Sequence, residues 1–329
     1  MSLDPARRAG LERARALAIG RDHFGLDSEQ AVVEAAPFGV LVRVDDVVVV
    51  VSSVDDLGVL GGVLVWLDRN PMATADLVVE HHAGIHARRA RLLAPDVGIH
   101  GLAGTEIRPA APEPIAPPHP TPGDLAPLVA MIERSGAQAV IEDGIVRAEV
   151  AGLEVGRVVT GTDGSSLEVG VGRFDREAGV LLHAGRPVEP TLVDTIAQVR
   201  THRSAGAVSH PVNRIGRERW LRELVRVDPA LAGVSDPVLV EPIPPRLSLL
   251  EASAAALVGL DAGRRVLVVC SVGVELGLVP ATADLVVTHR PDEVRFVLPR
   301  RDRLPFLERL ASRLEVPVGF VEIAVPWID

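Results

Sequence analysis

The sequence contains no lysine, no tyrosine and a single cysteine in 329 residues. All 34 basic residues are arginine. The lone Cys270 excludes an intramolecular disulfide and points to a reducing, cytoplasmic setting. Aromatic residues make up only 3% of the chain, which leaves little for base stacking and disfavours single-strand nucleic-acid binding. The net charge of −10 keeps the surface as a whole from attracting nucleic acid. No uncharged apolar run reaches 18 residues, so no membrane-spanning segment is expected. Residues 1–21 read as a helix rather than a leader: Asp4 can cap it, Pro5 suits its first position, and arginines interrupt any apolar core.

What is present is aliphatic. Mean hydropathy is +0.27, which demands much buried surface. A homo-oligomer, in the simplest case a dimer, is the expected place for it. A valine-rich sheet covered on both faces is the other. Residues 47–51 are five consecutive valines, the pattern of such a strand. Helix, strand, helix and strand follow over 55–68, 75–80, 83–94 and 97–100, which is parallel α/β order. Seven prolines lie between Pro109 and Pro122, a stiff extended segment. Helices are then expected at 124–134, 175–183, 188–203 and 217–227. Strands are expected at 139–142, 145–150, 153–159 and 167–171, with two-residue turns at Asp143-Gly144 and Ala151-Gly152. Further strands are expected at 266–271, 294–298 and 318–323, and a helix at 304–314.

Residues 73–81 and 281–289 agree at eight of nine positions, sharing the heptamer ATADLVV. Ser52, Leu57 and Gly58 also align with Ser271, Leu276 and Gly277. The spacings of the two matches differ by eleven residues, so the second copy is read as shorter by that number. These matches imply a duplication, with copies near 40–105 and 262–325. The expected fold class is α/β: two related Rossmann-like parallel layers flanking a central α+β module. The layers are 1–108 and 247–329, the module 124–235, and the proline-rich linkers 109–123 and 236–246.

Four places can carry chemistry. Glu154 and Glu168 sit on consecutive strands, and Asp175 follows. Acids converging in this way hold Mg²⁺ or Mn²⁺ and activate water for phosphoester hydrolysis, with Glu154 and Glu168 as metal ligands. The helix–strands–helix layout resembles the core of restriction-endonuclease-like nucleases, which carry an acid-x-lysine strand. The equivalent triplet here is Glu168-Val169-Gly170, without the lysine. The competing reading points Glu154 and Glu168 to the solvent face of a twisted sheet, paired with Arg157 and Arg173. Second, residues 200–226 carry seven arginines against two glutamates. Among them Arg200, Arg203 and Arg214 are candidates for a small anionic ligand.

Third, His82 and His86 are four apart, a metal-ligand spacing on a helix, with Glu80 nearby. Ordinary hydrogen bonding is the plainer reading, since no other ligand set accompanies them. Fourth, the loops with Ser52, Asp55, Ser271 and Glu275 follow buried strands, where α/β sheets bind ligands; helix capping is the alternative. Gly170-Val171-Gly172 lacks the third glycine of a nucleotide loop. The leading functional reading is a non-catalytic ligand-binding or oligomeric interaction module. The alternative is a divalent-metal phosphoester hydrolase.

Overall fold

The structure, a computed structural model, describes residues 4–162, 164–172, 187–245 and 254–327. The fold is mixed α/β, with three sheets and eight α-helices among the described residues. It divides into two bodies. The first runs to Ile115 and adds Val274–Thr288 and Leu304–Pro317. The second comprises Ala116–Gly273, His289–Arg303 and the segment from Val318 onward.

In the first body, α1 (Pro5–Phe24) starts where the sequence predicts, with Asp4 accepting from the Arg7 amide and Gly25 closing it in the left-handed region. A meander of β1 (Val32–Ala36), β2 (Gly39–Val44) and β3 (Val47–Ser52) follows. The chain then alternates through α2 (Val59–Arg69), β4 (Thr74–Val79), α3 (Ala83–Leu93) and β5 (Gly98–Ala103), and ends in β6 (Glu106–Pro109). Sheet order is sequential: β1 to β3 pair antiparallel, β3 to β5 parallel, and β6 antiparallel. The valine run works by alternation. Val49 and Val51 pack on Ala16 and Ile19 of α1. Val48 and Val50, both fully buried, point to the other face, where right-handed crossovers put α2 and α3.

Two later helices also belong to this body: α7 (Leu278–His289, up to Thr288) and α8 (Pro305–Ala311). A Cβ on Gly61 would lie 1.8 Å from the Leu276 carbonyl oxygen, so α2 tolerates only glycine where the chain entering α7 crosses it. Asp284 of α7 is fully buried and forked by two arginines of α3: Arg88 Nε at 2.8 Å and Arg89 Nε at 2.8 Å. Arg309 of α8 reaches Asp68 of α2 at 2.6 Å.

The second body contains α4 (Ala126–Arg134), the antiparallel strands β7 (Gln138–Glu142), β8 (Ile145–Val150), β9 (Leu153–Gly161) and β10 (Gly164–Val169), and α5 (Val188–His202). Ile132 of α4 and Leu192, Ile196 and Val199 of α5 bury one sheet face with Val146, Ala148 and Leu167. Both expected turns form, with positive φ at Asp143, Gly144, Ala151 and Gly152. Next come α6 (Arg217–Val227) and a mixed sheet of β11 (Ser235–Val240), β12 (Ala255–Asp261), β13 (Arg264–Cys270), β14 (Glu293–Leu298) and β15 (Val318–Glu322). Its order is again sequential, antiparallel from β11 to β13 and parallel from β13 to β15.

Several expectations need correction. The shared heptamer does not occupy equivalent elements: it is strand β4 in one place and helix α7 in the other. The match therefore gives no evidence of an eleven-residue deletion. The proline-rich stretch is bonded at several points. Ala110 and Glu113 donate to Ile99 and Gly84 in the first body. Further on, His119 donates to Asp143 in the second, through its amide at 3.1 Å. Residues 235–240, mostly read as linker, form β11, and its hairpin partner β12 was not foreseen. The helix expected at 175–183 lies outside the described residues.

Candidate functional site

The carboxylates singled out on the middle sheet belong to an ion chain. On β8, Arg147 and Glu149 alternate with the apolar Val146, Ala148 and Val150, so the charges share one face and the apolar groups the other. Regular alternation would put Glu154 and Arg157 on opposite faces of β9. The register shifts, however: Ala148 pairs with Gly156, whereas Glu149 pairs with Glu154. That bulge at Val155 turns Glu154 onto the charged face beside Arg157. Helix α6 covers this face with Arg219 and Arg222, while its Trp220, Leu221 and Val225 enter the core of the β11–β15 sheet.

The result is one alternating series. Arg157 Nε donates to Glu154 at 3.1 Å, and Arg147 Nη1 donates to Glu154 at 2.8 Å. Arg147 Nε lies 3.3 Å from Glu142. Arg219 bonds Glu142 at 2.7 Å and also Glu149, and Arg222 bonds Glu149 at 3.1 Å. All but Arg157 are buried. Burial acts to raise the Glu154 pKa, but Arg147 and Arg157 outweigh it and hold the carboxyl below its ordinary value. Burial likewise acts against the charge on Arg219, and Glu149 and Glu142 reverse it. Buried charges survive when every one has an opposite neighbour, as here.

Glu168 faces Arg157 across the β9–β10 register and is half-buried. Asp175 lies outside the described residues. No group of three or more His, Cys, Asp or Glu able to hold a metal occurs among the described residues. Arg200 donates to the Gly136 carbonyl at 2.6 Å. Arg203 is buried and uses Nη1 and Nη2 on the carbonyls of Val212, Ile215 and Gly216; burial pushes its pKa down to about 9. Arg214 is exposed at the end of the turn Pro211–Arg214. The structure therefore does not gather Arg200, Arg203 and Arg214 around an anion beside the acids.

The first strand-end loop is engaged locally. Ser52 Oγ accepts from the Val54 amide at 3.2 Å, and Asp55 meets His82 Nε2 at 2.7 Å. Ser271 is buried with its hydroxyl unpartnered, and Glu275 is half-buried in the first body, where its charge acts on Arg89. Among the described strands the order is sequential, without the reversal at which Rossmann folds bind ligands. His82 caps α3 in the left-handed conformation, its carbonyl accepting from the His86 amide at 2.9 Å while its ring meets Asp55. His86 is 1% exposed, and neither ring nitrogen has a partner. Burial, then the neighbouring Arg89 and His82, push its pKa down to about 3. Cys270 is fully buried, and burial pushes it up to about 12.

Sequence reasoning missed Glu142, Arg147, Glu149, Arg219 and Arg222 as a unit. The signal available was Arg147 and Glu149 within an otherwise apolar strand. No protein family, curated protein or solved structure matches the chain. No described helix is long and apolar enough to cross a membrane.

Proposed function

We propose that the chain is a non-catalytic binding and interaction protein, built on a duplicated Rossmann-like α/β unit. The observation that carries this reading is the engagement of Glu154. A carboxylate accepting from Arg147 and Arg157 has its charge balanced by two guanidiniums, and no water-activating metal is needed to explain its burial. The duplication is supported by topology rather than by the heptamer. Strands β1–β5 and β11–β15 share order and pairing sense. Val51 pairs with Val78, and Cys270 with Val297, both members shifted by 219 positions. The Leu57-Gly58 and Leu276-Gly277 pairs precede α2 and α7, and Gly58 and Gly277 approach each other.

The ligand in this reading is a small anion, and a second copy of the chain is the expected protein partner. Exposed Val227 and Val238, near the edge strand β11, support the latter, and light scattering tests it. The hydrolase reading is tested by melting the full chain in EDTA and then with millimolar Mg²⁺ or Mn²⁺. Unchanged melting and no metal-dependent phosphodiester cleavage are expected. A metal-induced rise in melting temperature, abolished by Glu154→Gln, would overturn the proposal, because a ligand that binds the folded state must stabilise it.

A further inference from the structure

The segment joining α5 to α6 and the end of the chain bring together buried polar atoms that bond to nothing. Asn213 is 2% exposed, and neither its amide oxygen nor its nitrogen has a partner. Trp327 is 4% exposed, with indole Nε1 unpartnered. Arg203 is 5% exposed and leaves Nε unpartnered, its other nitrogens holding loop carbonyls. These residues are contiguous. Arg203 lies 4.4 Å from the Trp220 ring centroid, and the Trp220 and Trp327 centroids are 5.3 Å apart. Arg217 sits 4.9 Å over Trp327, and its Nε donates to the Asn213 carbonyl at 2.8 Å.

Folded proteins pair nearly all buried polar atoms, and three residues of this connected group leave theirs open. Donors dominate this set: the indole N–H, the Arg203 N–H and the Asn213 NH₂, against one amide oxygen. With two guanidiniums in the same wall, the complement is an acceptor-rich anion. Glu218, the acid beside Arg203 and Arg217, has its pKa raised by burial, which weakens its competition for these donors.

We infer that the second body binds a small oxyanion, a carboxylate or phosphate group, at Asn213, Trp327 and Arg203. This rests on the binding reading above and supplies its ligand class. The orphaned atoms are sealed from solvent, so entry requires local opening; the adjoining loop is tied to this region by the Gly206 amide, which donates to the Pro326 carbonyl at 3.3 Å.

The test uses the full chain carrying Trp66→Phe, which leaves Trp220 and Trp327 as the only indoles. Its fluorescence is titrated with sodium phosphate and with sodium acetate, each against sodium chloride at matched ionic strength. A saturable response to at least one oxyanion is expected, with half-saturation weakened at least tenfold by Asn213→Leu. Circular dichroism verifies that the variant folds. Should it not fold, Asn213→Asp replaces it, since it keeps the shape and adds a repelling charge. No saturable response beyond that of chloride, or one unchanged by the variant, overturns the inference. Metal-dependent hydrolysis by the wild-type chain would instead overturn the binding reading and leave this titration standing.

Discussion

Mild acid should weaken the first body through a single side chain, His86. It is 1% exposed, both ring nitrogens lack partners, and Arg89 and His82 add repulsion to any proton it takes up. Its folded pKa is about 3, against 6.5 for the free side chain. Below pH 6.5 the unfolded chain therefore binds a proton that the folded chain refuses. Stability must then fall as pH drops, by about 1.4 kcal/mol per pH unit, until the pH nears the folded value. Between pH 7 and pH 5 this amounts to about 2 kcal/mol. The assay is urea unfolding of wild type and His86→Leu at both pH values. Other titrating groups cancel in the difference between the proteins. The stability gap should move by about 2 kcal/mol in favour of the variant on going to pH 5. At a urea slope of about 2 kcal/mol/M, that is a midpoint shift of roughly 1 M. A gap that stays constant would refute the assignment of His86 as a buried neutral imidazole.

Other consequences follow from the same packing. Gly61→Ala places a methyl group against the Leu276 carbonyl, 1.8 Å from ideal Cβ to oxygen, so thermal melting should fall as for overpacked cores, by about 1–3 kcal/mol. Asp284→Leu leaves Arg89 buried without its carboxylate and should cost about 3–5 kcal/mol, read by urea unfolding. Below the ordinary carboxylate range a second acid transition is expected. Glu154, with its folded pKa depressed, adds stability above the unfolded value of 4.5 and loses it as pH falls through the folded one. Glu154→Gln should remove that component from the pH–stability curve.

Much of the fold was legible where local chemistry and burial agree. Asp4 and Pro5 mark the start of α1, the valine run marks β3, and Asp143-Gly144 marks a hairpin turn. The heptamer shows where legibility ends. After the turn at Pro71-Met72 it pairs beside β3 as a strand, with Asp76 meeting His100. After Gly277, with Pro280 in the first turn, it is helical, and its aspartate is claimed by Arg88 and Arg89. Propensity is a weak prior, and such tertiary contacts override it. The middle site was half legible. Glu154 was visible as an acid on a strand, but its place beside Arg157 depends on a bulge at Val155, and the arginines that bond Glu142 and Glu149 come from a helix more than sixty residues away. Strand β11 was hidden by Pro237, which an edge strand accommodates.

The most direct test of the structural role of the buried acids is the unfolding free energy of Glu154→Leu in EDTA, compared with wild type by urea titration. An arginine network that needs its carboxylate predicts a loss of about 3–5 kcal/mol, because Arg147 stays buried with one partner fewer. A neutral or stabilising substitution would contradict this, and would mark Glu154 as an acid held in place for a metal.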